Sequence, residues 1–187
     1  MNPYSESIHQ SGFTLLEVMI TIVILGLGIM GLAALQFSSL RANNQSLEQS
    51  QATALAYELA DIMRANAARA NAGDFDAGSF GPAPAEAAVD CQTSVCTAQQ
   101  LAAFELNQWY QRMVGTLPRG MFRVVRSASP CPATGCMHTV SIMWDEERTG
   151  ETPEELSEDP TADCDPLFAD AKMTCIRISF LTQASLF

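Results

Sequence analysis

The chain has 187 residues, of which 48% are apolar, and its 21 acidic and 10 basic side chains give a formal charge of −11. This length allows one membrane segment and one modest globular domain, but it excludes a second large core. The negative field repels nucleic-acid phosphates, so direct nucleic-acid binding is disfavoured.

The first feature along the chain is an apolar stretch over residues 13–35 that follows twelve polar residues. Its 23 residues exceed the ~20 that a helix needs to cross a bilayer. Glu17 is the only ionisable residue well inside it, and a carboxylate near the centre of a membrane helix costs ~2.5 kcal/mol or more, less toward an end. A cut between Gly12 and Phe13 would create an α-ammonium within reach of Glu17 of an adjacent subunit, which would neutralise both charges.

The residues around this point resemble the class III signal of type IV prepilins, and they read Gly12, Phe13, Thr14, Leu15, Leu16 and Glu17. The resemblance implies that an aspartyl prepilin peptidase with methyltransferase activity cleaves after Gly12 and methylates Phe13. It also implies that Glu17 directs methylation and assembly. Residues 1–12 are accordingly interpreted as the leader peptide, and residues 13–35 as the transmembrane and assembly half of the N-terminal helix.

Two other interpretations of this segment stay open, a secretory signal peptide cut near Gly31 and Ala33, and a plain signal anchor. A signal peptide has a basic n-region and an apolar region of roughly 7 to 15 residues. The sequence has neither feature, and neither interpretation accounts for Glu17.

Residues 36–72 predict that the same helix continues as a distal amphipathic half. They contain no proline and are rich in Ala, Leu, Gln and Glu. Apolar residues at helical spacing form one stripe, which we expect to be buried under a globular head: Leu40, Leu47, Leu55, Leu59, Ile62 and Met63. Gly73 provides a natural stop.

Residues 73–187 predict an α+β head on the periplasmic or extracellular side. Residues 73–90 are typical of an irregular loop, and Thr97 with Gln100 forms a capping-box pattern before an amphipathic helix. Three runs with period-two alternation, at 121–127, 138–144 and 173–181, predict strands of an antiparallel sheet packed on the distal helix. In the second run, Val140, Ile142 and Trp144 share one face. These patterns predict a long N-terminal helix against a small antiparallel sheet, and the resemblance to prepilins implies that the fold class is α+β and type IV pilin-like.

All six cysteines lie after residue 90, which fits an oxidising compartment and disulfides. Six cysteines permit 15 connectivities, and we favour the sequence-local pairs: Cys91 with Cys96, Cys131 with Cys136, and Cys164 with Cys175. Such staples stabilise a head with a small core. Zinc binding is the alternative, but the sequence contains no CxxC motif.

Residues 145–165 are dense in carboxylates and nearly devoid of bases. We interpret them as a solvated loop. Calcium binding or contact with a basic neighbour is the alternative, although the spacing of an EF-hand loop is absent. Asp163, Asp165 and Asp170 are the first residues to test.

The sequence indicates no enzyme, cofactor or metal site. It has no GxSxG, P-loop, HExxH or dinucleotide motif, and its two histidines, His9 and His138, suit neither a triad nor a metal centre. By this interpretation the chain is the substrate of an enzyme.

Over most of its length the chain is most similar to PilV-type minor pilins, also called type IV pilus modification proteins, and the match is looser after residue 40. The similarity rests on a helix with Trp109 that ends in the sequence LPRG, a strand that ends in WDEE, and an acidic head with three cysteine pairs. It implies a structural subunit that joins other minor and major pilins at the inner-membrane assembly platform and primes pilus assembly. Twitching motility and adhesion, with a final place in the fibre or at its tip, are also implied.

Two other functions stay open. The first is a minor pseudopilin of a type II secretion system. The second is a membrane-anchored periplasmic binding module or enzyme, which requires that replacing Glu17 with alanine has no consequence and that Phe13 never becomes an N-terminus.

Overall fold

The first element that the structure describes is a long helix, α1, which runs over Leu15–Ala65. The computed structural model describes residues 12–77, 80, 84, 87, 89–146, 164 and 173–183. The remaining elements in these ranges are α2 (Ala67–Ala72), α3 (Ala98–Thr116), β1 (Met121–Arg126), β2 (Cys136–Asp145) and β3 (Met173–Thr182). The chain divides into two compact units, Met1–Asn44 and Gln45–Phe187, and α1 contributes residues to both.

The helix predicted to continue to residue 72 is interrupted at Asn66, which has φ −110° and ψ 38°. The Asn66 side-chain amide donates to the Ile62 carbonyl at 3.0 Å and to Glu105 Oε2 at 2.7 Å. An asparagine that bonds back to the main chain competes with the regular helical pattern, and this separates α1 from α2. At the predicted stop, Gly73 has φ +100° and ends α2 in a Schellman motif, in which the amides of Gly73 and Asp74 donate to Ala70 and Arg69 carbonyls.

Within the second unit, α1 buries only part of the stripe that the sequence predicted. Leu55, Leu59 and Met63 are buried, but Leu47 is 56% exposed. Leu40, in the first unit, is also exposed. The buried face is instead completed by small residues, which allow close approach of neighbouring elements: Ala52, Ala56 and Ala60. The predicted stripe therefore lies on the face of α1 that packs on the core, but burial of that face begins only near Glu48.

The capping box predicted at the start of α3 is confirmed. The Thr97 hydroxyl accepts from the Gln100 amide at 3.3 Å, and the Gln100 side chain accepts from the Thr97 amide at 2.9 Å. Trp109 of α3 is fully buried and meets Phe122 of β1 edge to face, with ring centroids 5.1 Å apart. Trp109 is therefore a core aromatic.

The three strands form one antiparallel sheet in the order β1-β2-β3. Val140 lies at the centre, opposite Val124 on one side and Ile178 on the other. Val140, Ile142 and Trp144 are all buried in the core cluster, which also holds the buried residues of α1 and α3. The α+β pilin-like fold predicted from the sequence, a long N-terminal helix with a small antiparallel sheet and disulfides, is therefore the observed one.

Candidate processing and assembly site

The residues predicted to be processed lie directly before α1. Phe13 is 83% exposed, and a Cβ added at Gly12 would meet no other atom within 4 Å. Nothing in the described fold therefore requires glycine at position 12.

Thr14 forms the N-terminal cap of α1. Its carbonyl accepts from the amides of Glu17 and Val18, and its hydroxyl lies 3.3 Å from the Glu17 amide. The Glu17 carboxylate consequently lies in the first helical turn, where the exposed amide dipoles favour negative charge. The local fold thus partly compensates the charge of Glu17 and holds it one turn from Phe13.

The surface of α1 that follows Glu17 is apolar on all sides. Every large apolar side chain from Leu15 to Phe37 is at least 44% exposed. Within the described residues α1 is the one helix long and apolar enough to cross a membrane, with a mean hydropathy of 2.6 over its best window and none of that window buried. Such a surface requires lipid or other helices around it, because contiguous apolar patches of this extent are not stable in water.

The six cysteines form three bridges, each between sequence-local partners. Cys91–Cys96 closes the loop before α3, Cys131–Cys136 closes the loop before β2, and Cys164–Cys175 ties a residue between β2 and β3 to β3 itself. Because thiolates held in disulfides are not available as metal ligands, these pairs exclude a cysteine zinc site in the oxidised protein.

No group of three or more potential metal ligands occurs within the ranges that the structure describes. Asp163, Asp165 and Asp170, and the acidic loop 145–165 apart from Asp145, Glu146 and Cys164, lie outside those ranges.

A half-buried polar cluster of Asn71, Asp76, Arg126 and His138 connects α2 and the segment after it to the sheet in the second unit. The Arg126 side chain donates to Asp76 Oδ2 at 2.7 Å and to the Asn71 carbonyl at 2.8 Å. Burial raises the pKa of Asp76 despite its bond to Arg126, and burial lowers the pKa of His138, with Arg126 adding to the effect. These groups lie away from the segment around Glu17 in sequence, and they stabilise the second unit.

Two comparisons identify the class of protein. The prokaryotic N-terminal methylation motif matches residues 8–33, and the family described as type IV pilin Tt1218 matches residues 34–107. The chain is a type IV prepilin-like protein. Comparison with the curated proteins and with the solved structures gave no match.

For this prepilin-like protein the methylation motif covers Gly12, Phe13 and Glu17, and it implies processing by prepilin peptidase and association with the membrane. These three residues could be recognised from the sequence motif, but the role of Thr14 as the cap of α1 was not predicted. The signal was present, because Thr14 followed three residues later by Glu17 has the pattern of a capping box. Asn71, the centre of the half-buried polar cluster, carried no recognisable sequence signal.

Proposed function

We propose that this pilin-type subunit is a minor pilin that helps to prime assembly of type IV pili. The observation that carries the proposal is the methylation motif over residues 8–33, which coincides with an exposed Phe13 and with the exposed apolar N-terminal part of α1. The pilin match over residues 34–107 favours a pilus subunit over a type II secretion pseudopilin.

The proposed processing follows from the same residues. Prepilin peptidase cleaves after Gly12, the new amino group of Phe13 is methylated, and Glu17 of one subunit meets the amino terminus of another. Two opposite charges near 4 Å attract each other much more strongly in an apolar helix bundle than in water, which favours assembly in this register. Residues 13–35 anchor the subunit in the inner membrane before assembly.

The minor and PilV-like character is supported by the acidic second unit with its three bridges and by the LPRG and WDEE segments. In this role the chain joins other minor and major pilins at the assembly platform, enters the fibre or its tip, and contributes to twitching motility and adhesion. Its contribution is structural and needs no catalysis.

N-terminal sequencing and intact-mass measurement of the protein from its native host test the proposal. A mature chain that begins at methylated Phe13, and an uncut chain in a strain without the prepilin peptidase, are the expected results. A mature chain that begins at Ala34, or one that retains Met1 in the peptidase-positive strain, would contradict it.

Deletion of the gene distinguishes a subunit of a type IV pilus from a pseudopilin of a type II secretion system. Loss of surface pili and of twitching, with normal export of secreted enzymes, supports the minor pilin. Normal pili with a defect in secretion would instead indicate a pseudopilin.

A further inference from the structure

The Asn71 side chain gathers donors from two strands at the end of the sheet. Its Oδ1 atom lies 2.7 Å from Thr182 Oγ1, 3.3 Å from the Cys136 amide and 3.4 Å from His138 Nε2. Because the Cys136 amide can only donate, the atom facing it must be the oxygen of Asn71, and this fixes the orientation of the side-chain amide. Asn71 therefore holds α2 to the start of β2 and the end of β3.

This arrangement also determines which ring nitrogen of neutral His138 carries the proton. A donor must face the Asn71 oxygen, so Nε2 carries the proton and Nδ1 is left with a lone pair. His138 is fully buried, and Nδ1 has no hydrogen-bond partner among the described residues. A second proton on the ring would therefore create a charged donor with no acceptor in a site without solvent.

The charged residue paired with His138 across the sheet is a cation. Arg126 lies opposite it on β1, where the two residues are paired in register. The His138 ring stacks on Phe180 of β3 at 5.9 Å between centroids, and the Arg64 guanidinium of α1 lies 4.9 Å from the same Phe180 ring. On the segment after α2, Asp76 is bonded to Arg126, and Asp74 is bonded to Arg69 of α2, so these two carboxylates are engaged by other cations.

We propose that His138 and Asn71 form a pH-sensitive latch, which holds α2 to the ends of β2 and β3 when His138 is neutral and releases them when it is protonated. The buried lone pair of Nδ1 and the neighbouring Arg126 both oppose the imidazolium. Release breaks the contacts of Asn71 with Cys136, His138 and Thr182, while the core around Trp109 is built from other residues.

The sign of the effect follows from the direction of the pKa shift. The pKa of His138 is lowered in the folded protein from its usual 6.5, so the unfolded chain binds a proton at this site more readily. The contribution of neutral His138 to stability is therefore complete above pH 6.5 and is lost progressively as the pH falls below that value.

Thermal unfolding of the full-length protein in detergent, followed by tryptophan fluorescence at several pH values between 7.5 and 5, tests the latch. We expect the midpoint of the wild-type protein to fall with pH, and that of His138→Gln to fall less over the same range. The matched control is His9→Gln, which replaces the other histidine of the chain and should retain the wild-type dependence. A parallel loss of stability in the wild type and His138→Gln would overturn the proposal.

The variant Asn71→Asp is an independent test of the latch. Its carboxylate can accept hydrogen bonds from the same three donors, and it can also pair with the imidazolium of His138. It raises the pKa of His138, so the contribution of this pair to stability is present below pH 6.5 and is lost as the pH rises. The expected result is a reversed slope relative to the wild type. A wild-type slope in Asn71→Asp would refute the latch.

Amide hydrogen exchange shows which residues open when α2 is released from the ends of β2 and β3. Amides of residues 69–74, 136–138 and 180–183 should exchange faster at pH 5 than at pH 7.5, after correction for intrinsic rates, and those of residues 106–113 should not. Uniform acceleration over both sets would show global destabilisation and would contradict a local latch.

Discussion

The indole Nε1 of Trp109 donates a hydrogen bond to the main-chain carbonyl of Leu55, 2.9 Å away and 54 residues earlier in the chain. This bond joins α3 to α1 inside the core, where both side chains are buried. It fixes the rotation of α3 about its axis and so sets which of its residues face the sheet. The part of α1 that belongs to the second unit is in this way tied directly to the core of that unit.

Replacing Trp109 with phenylalanine should destabilise the second unit by about 2 to 4 kcal/mol. The substitution removes the bond to Leu55 and leaves a cavity beside Phe122, and both effects act in a fully buried site. Chemical denaturation in detergent measures the change. Tyr57→Phe is the control, because Tyr57 is largely exposed on the same helix as Leu55 and should change stability by less than about 0.5 kcal/mol.

Replacing Glu17 with glutamine should reduce incorporation into fibres about tenfold or more, which corresponds to the loss of ~1.4 kcal/mol of ion pairing. Quantitative immunoblotting of sheared pili against whole cells measures it. Glu58→Gln is the matched control, because Glu58 lies on the same helix but pairs with Arg112 at the surface of the second unit. If Glu17→Gln entered fibres as readily as Glu58→Gln, the proposed role of Glu17 would be wrong.

Two glycines should respond to alanine in opposite directions. Gly135 has φ +99°, and a Cβ there would lie 1.9 Å from the Thr182 carbonyl oxygen, so Gly135→Ala must displace β3 and should cost at least about 2 kcal/mol. Gly115 lies in α3 with open space around it, so Gly115→Ala should be neutral or stabilise by up to about 1 kcal/mol. Thermal unfolding of the two variants measures both. Equal effects would contradict the close packing of the loop before β2 on β3.

The disulfides Cys91–Cys96 and Cys131–Cys136 close loops of equal length, but they should contribute different amounts to the free energy of unfolding. Replacing Cys131 and Cys136 with serine should cost more than ~2 kcal/mol, because Cys136 is fully buried and its amide is bonded to Asn71. Replacing Cys91 and Cys96 should cost less, because that loop is also closed by bonds from Gln92 and Thr93 to Asp90. Comparison of the two double variants by denaturation under oxidising conditions decides the order, and the reverse order would contradict it.

Local patterns predicted much of this fold. The capping box of Thr97 and Gln100 could be predicted because its partners are three residues apart. The strand face of Val140, Ile142 and Trp144 could be predicted because side chains alternate along a strand. The processing segment is local too, since Gly12, Phe13 and Glu17 lie within one motif.

Other features depended on how the elements meet. Helical periodicity grouped Leu47 with Leu55, but Leu47 is exposed because the region of α1 that contacts the core begins near Glu48. The interruption at Asn66 depends partly on Glu105 of α3, and the latch depends on Asn71, Cys136, His138 and Thr182 of three different elements.

The sequence by itself therefore determined the apolar helix, its charged first turn, the strands and the class of protein. Only the tertiary structure decided which apolar residues are buried and which polar groups meet in the interior. The physical reason is range: helix caps and strand alternation are set by neighbours a few residues away, whereas burial and buried hydrogen bonds depend on contacts between segments distant in the chain.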